Sequence, residues 1–164
     1  MNPLLKTLLA TAALSAGLTY AQNVAVTDTW ARATVQGQKA TGAFMKLTAK
    51  EGAKLVGASS PVAGVTEIHE MKMDKDVMRM AAVPALNLPA GQAVELKPGG
   101  YHVMLMDLKQ GLPKDSMVAL TLQFQDTKGN KSQLELKVPV LLQAPGTAAG
   151  AGMPAGHMHG DHKH

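Results

Sequence analysis

Methionine and histidine are the residue types of this sequence that point to metal chemistry, and both are concentrated in one stretch. The 164 residues include eleven Met and no Cys, so thioether is the only soft ligand available. Six of the methionines lie between Met71 and Met106, together with His69 and His102. Thioether and imidazole together suit Cu(I), whereas Zn²⁺, Mg²⁺ and Ca²⁺ prefer thiolate, carboxylate or carbonyl ligands. The cluster therefore predicts a Cu(I) site.

The first half of the cluster has the pattern of a β-hairpin, because two alternating runs flank a polar stretch. Centring the turn at Asp74-Lys75 predicts that His69 faces Met80 and that Met71 faces Met78, with all four on one face. The intervening positions carry water-facing side chains, namely Glu70, Lys72 and Arg79. Methionines on such a hairpin gain little from core packing, which favours a metal-binding role.

The second half of the cluster, Tyr101–Met106, alternates as a strand does. His102, Met104 and Met106 are expected on one face, and the residues between them on the other. The preceding Pro98-Gly99-Gly100 indicates a tight turn. We therefore expect His102 near a strand end, at the rim of a sheet.

The residues that position this cluster are predicted to form an all-β domain over residues 22–142. Period-two alternation recurs at Ala43-Met45-Leu47, at 118–124 and at 134–140, between turn signals rich in Gly and Pro. This pattern predicts an antiparallel Greek-key β-sandwich. With one Trp, two Tyr and two Phe the core must be aliphatic. Met45 and Met117, outside the cluster, are expected to fill core gaps.

Residues 1–21 have the composition of a signal peptide. A basic Lys6 precedes an apolar run that ends before Thr19-Tyr20-Ala21, a small-residue cleavage pattern. The run is too short to span a bilayer, which takes about 20 apolar residues. We predict cleavage after Ala21, location in the periplasm or cell envelope, no stable membrane insertion after cleavage and, without Cys, no cysteine-linked lipid anchor.

Residues 143–164 are predicted to be a flexible, His/Met-rich tail. An Ala-, Gly- and Pro-rich linker leads to four of the six histidines of the chain. Imidazoles on a mobile segment can supply nitrogen ligands to Cu(II). The candidate tail ligands are His157, His159, His162 and His164.

Several function classes are disfavoured by composition. The net charge of +4 is spread along the chain without basic runs, and aromatic residues are scarce, which argues against nucleic-acid binding. A blue-copper electron carrier would need a Cys ligand. No catalytic triad or paired-carboxylate pattern is visible, so we expect a protein that is not an enzyme.

The spacing His69-x10-Met80-x21-His102-x-Met104 resembles the signature of the PCu(A)C family of periplasmic copper chaperones. The resemblance continues through residues 26–32, 41–45 and 100–108. It implies a cupredoxin-like sandwich that binds Cu(I) through those four residues. It also implies delivery of copper to the CuA subunit of cytochrome c oxidase, often beside Sco-like proteins of thioredoxin fold.

Three further methionines share faces with these ligands but lie off the matched spacing. Met71, Met78 and Met106 are therefore expected to form an outer wall or to lend a substitute thioether. Two other functions stay open at this point. One is an envelope copper scavenging or resistance protein without a dedicated acceptor, and the other is an interaction module whose Met cluster docks a partner.

Overall fold

The computed structural model describes residues 23–146, and the named elements of secondary structure in this range are all β-strands. No helix in this range is long and apolar enough to cross a membrane. The predicted signal peptide and the four tail histidines lie outside the described residues. The strands are β1 Val24–Arg32, β2 Thr41–Ala49, β3 Ala53–Ser59, β4 Ala63–Asp74, β5 Val77–Ala82, β6 Leu86–Leu88, β7 Ala93–Leu96, β8 Tyr101–Leu108, β9 Met117–Asp126 and β10 Lys131–Leu141.

The strands pair in the order β5-β4-β8-β2-β1-β10-β9-β3-β6, and β7 pairs with the second half of β2. All pairs between strands are antiparallel except the short contact of β1 with β10, which is parallel. Residues from both halves of this order contribute to one aliphatic core. The predicted all-β, cupredoxin-like antiparallel sandwich is confirmed, with that single parallel pair as its exception.

Most of the residues that the period-two patterns predict to be buried are buried in the structure. Ala43, Met45 and Leu47 are buried, as are the four alternate residues of β9 from Val118 to Phe124. On β8 the buried residues Val103 and Leu105 point into the core. Their neighbours His102 and Met104 must therefore lie on the other face of that strand.

The expectation that Met117 fills the core is wrong, because its side chain is exposed. Met117 is the first residue of β9 and lies opposite Pro139. In β9 the buried positions are 118, 120, 122 and 124, so alternation turns residue 117 outward. Met45 is buried as expected.

Candidate metal centre

The two histidines of the domain lie directly opposite each other on neighbouring antiparallel strands. The pairing of β4 with β8 aligns His69 with His102, and their ring centroids are 5.8 Å apart. His102 is the second residue of β8 and follows the Gly99-Gly100 turn, near the strand end as predicted. The sheet register alone therefore brings together two imidazoles that are 33 positions apart in sequence.

His102 is held as a neutral imidazole. Its Nδ1–H donates to the backbone carbonyl of Gly100 at 3.1 Å, which leaves Nε2 with a free lone pair. Burial lowers the pKa of His102 below its usual value, and the nearby His69 lowers it further, against the opposing effect of the Gly100 hydrogen bond. A neutral imidazole is the form that binds a metal ion.

His69 is held in the opposite tautomer. Its Nε2–H donates to the Glu67 carboxylate at 2.8 Å, so Nδ1 is the nitrogen that carries the lone pair in the neutral imidazole. That Nδ1 atom is buried, and it has no hydrogen-bond partner among the described residues. A buried acceptor without a partner is costly, unless it binds something. The orphaned nitrogen fits a metal ligand whose outer N–H is held by a carboxylate.

The hydrogen bond from His69 to Glu67 is a feature that sequence reasoning missed. Glu67 lies two residues before His69 on the same face of β4, and it is paired with Met104 across β8. The sequence carried a signal for it, since residues i and i−2 on a strand share a face. Contact between the two side chains could not be read from that spacing alone.

The predicted hairpin register is wrong by two residues. β4 and β5 align His69 with Ala82, Met71 with Met80, and Met73 with Met78. The turn is centred on Lys75-Asp76, both with positive φ (47° and 65°), as a two-residue type I′ hairpin requires. Moving the turn centre by one residue shifts the register by two, so the predicted face is kept although the predicted partners change.

The methionines lie on both sides of the histidine pair. Met104 lies next to His102 along β8 and opposite Glu67. Beyond the histidines on the other side, Met71 and Met80 face each other, with Met73 and Met78 as the next pair outward. The register thus makes Met104 and Met71 immediate neighbours of the histidine pair. Met80 lies one strand further out, on the edge strand, and Met106 is opposite Val65.

The aromatic ring of Phe44 lies beside His102, and Trp30 packs against Phe44, at the inner side of the centre. The ring of Phe44 lies 6.2 Å from that of His102 and 4.6 Å from that of Trp30, between centroids. Phe44 leans over Gly42, where a Cβ would approach its ring to 2.7 Å. Both aromatic residues are buried. They keep water from His102, which explains the depressed pKa of that residue.

The donor set that the structure assembles is soft and uncharged apart from Glu67. In the described range there is no group of three or more His, Cys, Asp or Glu side chains able to hold a metal ion. The centre instead offers two imidazoles and neighbouring thioethers, the set that suits Cu(I). A separate depression of about 690 Å³, formed partly by β3 and the β9–β10 turn, contains neither His nor Met among its lining residues.

Comparison with known proteins gives both a family and solved structures. Residues 24–140 match the family described as "Putative lipoprotein LpqE-like". The chain is 35% identical over 107 residues to "Putative lipoprotein Lxx21020" of Leifsonia xyli subsp. xyli (strain CTCB07). That match covers 65% of this chain and 64% of the relative, so the chain spans less than two thirds of the relative's length.

Two solution structures of DR1885 from Deinococcus radiodurans have the same fold. The apo structure is 31% identical, covers 88% of this chain and 95% of its own, and superposes with a TM-score of 0.55. The structure described as CuI-DR1885 is 30% identical, covers 79% and 85% respectively, and gives a TM-score of 0.56. A likeness of this extent supports a shared fold.

We predict that the two domain histidines of the metal-free protein carry their protons on different ring nitrogens. Long-range ¹H–¹⁵N NMR should show His69 protonated at Nε2 and His102 at Nδ1, because each proton is fixed by a different acceptor. Glu67→Ala should release His69 from its single tautomer and leave His102 unchanged. Identical tautomers in the unmodified protein, or no response of His69 to the substitution, would contradict this geometry.

Proposed function

Because the chain belongs to the LpqE-like family of PCuAC type, we propose that it is an exported copper chaperone that binds Cu(I) at the described centre. One observation carries this proposal: a directly opposed pair of histidines, one of which has an orphaned ring nitrogen, with thioethers beside them. A DR1885 structure with 30% identity is described as holding CuI. The donor set here suits the same ion.

We assign the Cu(I) ligands as His69, Met80, His102 and Met104. The histidine pair and Met104 are neighbours in the register. Met80 is assigned from the family spacing, and it is the diagonal neighbour of His69 across β4 and β5, a separation that a long side chain can bridge. Met71 is its natural substitute, because it lies on β4 next to His69 and opposite Met80. Met78 and Met106 lie further from the histidine pair.

Such a centre is suited to passing copper on. Two imidazoles and two thioethers are neutral, so the ion adds its full charge to the site, and the Glu67 carboxylate beside His69 offsets it. Thioethers are weak donors that thiolates of an acceptor displace. Copper then moves by stepwise ligand exchange without a change of oxidation state. We propose the CuA subunit of cytochrome c oxidase or a Sco-like protein of thioredoxin fold as acceptor, in the periplasm.

We predict that thioether sulfur at position 104 is needed for tight Cu(I) binding. Met104→Ile keeps an apolar side chain but removes the sulfur, and it should weaken the Cu(I) affinity by about tenfold or more, equivalent to about 1.4 kcal/mol. Met117→Ile, at an exposed position on β9, is the matched control and should change nothing. The measurement is competition with a chromogenic Cu(I) chelator.

The same competition assay tests the fourth ligand. Met80→Ile should weaken Cu(I) binding more than Met71→Ile if the family spacing identifies the ligand. A larger loss from Met71→Ile would transfer the assignment to Met71, and equal affinities for Met104→Ile and Met117→Ile would refute the whole ligand set.

We expect the Cu(I)-loaded chain to give its copper to an acceptor domain. Mixing it with an apo-CuA domain or an apo Sco-like protein should move copper to the acceptor, because thiolates bind Cu(I) more strongly than thioethers do. The readout is metal content after the proteins are separated. Retention of copper against both acceptors would favour a scavenging protein over a chaperone.

The tail is proposed as a second, Cu(II) site formed by His157, His159, His162 and His164. Removing residues 143–164 leaves all ten strands of the described residues, since β10 ends at Leu141. We expect the truncated protein to lose most Cu(II) binding and to keep its Cu(I) stoichiometry, because oxidised copper favours nitrogen ligands. Loss of Cu(I) as well would mean that the tail and the domain share one composite site.

A further inference from the structure

The outer part of the β4–β5 hairpin carries a sulfur-lined face that the four assigned ligands do not explain. Met73 pairs with Met78 and Met71 pairs with Met80, on the same face as His69. We call these two pairs and the His69–His102 pair the ladder, with three rungs. Successive rungs are two residues apart along β4, which is about 7 Å.

Exposure falls along the ladder from the tip of the hairpin to the histidines. At the outer rung Met73 is 60% exposed and Met78 is 45% exposed. In the middle rung Met80 is 48% exposed, and Met71 is half-buried. At the inner rung the side chain of His69 is 12% exposed, and His102 is 5% exposed. The ladder therefore connects solvent to the imidazoles through two rungs of thioether donors.

Among the residues that pair within the hairpin, the charged side chains lie on the face opposite to the ladder. Lys72 lies directly opposite Arg79, and Arg79 forms an ion pair with Asp74 at 2.9 Å. Like charges directly across a sheet are destabilising, and an exposed ion pair contributes little. The charged face therefore adds little to the stability of the hairpin, and the exposed methionines on the other face add little through core packing. The segregation leaves a strip of thioethers with no charged side chain among them.

We propose that the outer rung, Met73 and Met78, is a capture site through which Cu(I) enters the centre. This inference rests on the proposed Cu(I) function and adds the route to it. A Cu(I) ion leaves its donor as a Cu–S bond to the outer rung forms, then exchanges to the middle rung and to the imidazoles. Each exchange forms one copper–ligand bond as another breaks. Copper stays Cu(I), and no proton moves at a thioether.

The spacing favours handover rather than a single site. The outer rung lies four residues from His69 along β4, about 14 Å away, which is too far for one ion to bind the outer rung and the histidines together, because donors lie about 2 Å from a metal. The step of about 7 Å between neighbouring rungs is short enough for long, unbranched Met side chains to swing from one rung to the next. Met73 and Met78 are therefore expected to affect the rate of loading and not the final affinity.

The test is the rate at which the full chain takes Cu(I) from its complex with bicinchoninate, followed by anaerobic stopped-flow absorbance. Met73→Ile/Met78→Ile removes both outer sulfurs and keeps apolar side chains that suit exposed strand positions. Met117→Ile is the matched control, since Met117 is similarly exposed on a distant strand. The tail is the same in all three proteins, so it cannot account for a difference.

We expect the double variant to load about fivefold more slowly than the control, which corresponds to about 1 kcal/mol in the barrier, with unchanged Cu(I) affinity and stoichiometry. A loading rate equal to that of Met117→Ile would overturn the capture site. A parallel loss of equilibrium affinity would overturn it too, because Met73 and Met78 would then be ligands of the bound state. Failure of the unmodified chain to take Cu(I) at all would refute the proposed function instead.

Discussion

The antiparallel alignment of β4 with β8 is the constraint on which the candidate centre depends. It places His69 directly opposite His102, and it turns Val103 and Leu105 into the core while His102 and Met104 lie on the other face of β8. Because strand side chains alternate, a slip of one residue would exchange these sets and bury Met104 in place of Val103. The same aliphatic packing that stabilises the sandwich therefore fixes the positions of the proposed ligands. One register specifies both the packing of the core and the placement of these side chains.

The two histidines are prepared for a metal ion in different ways. His102 is desolvated beside Phe44 and oriented by a backbone carbonyl, so its neutrality results from burial. His69 is oriented by a carboxylate that also brings negative charge next to an incoming cation. Opposite tautomers follow from these two acceptors, and they leave Nε2 of one ring and Nδ1 of the other with lone pairs. A neutral donor set with one adjacent carboxylate can hold Cu(I) without a buried net charge.

The sequence was sufficient to predict the fold and the face that carries the two histidines and the methionines. It was not sufficient where the outcome depended on turn geometry or on side-chain rotamers. Alternation at Ala43-Met45-Leu47 and along β9 predicted strands correctly, because one buried face leaves a period-two signature. The hairpin turn could not be located, since Asp74-Lys75-Asp76 lacks the Asn-Gly or Asp-Gly pair that usually marks a type I′ turn. The residue types at positions 75 and 76 give no sign that Lys75 and Asp76 both adopt positive φ. The partnership of Glu67 with His69 depends on side-chain rotamers, which period alone does not determine.

The exposed β4–β5 hairpin contributes little to the stability of the sandwich, so its residue types are better explained by function. Residues of β5 are exposed throughout, and the strand forms the open edge of the sheet, so it adds little to the core. Exposed edges invite pairing with other chains, which Lys72 and Arg79 on the charged face oppose. A sandwich selected only for stability would place polar residues on the second face as well. Methionines at these positions are compatible with β-structure and keep their sulfur atoms in contact with solvent. Because they continue the face that carries His69, we infer that this face gives Cu(I) access to the imidazoles.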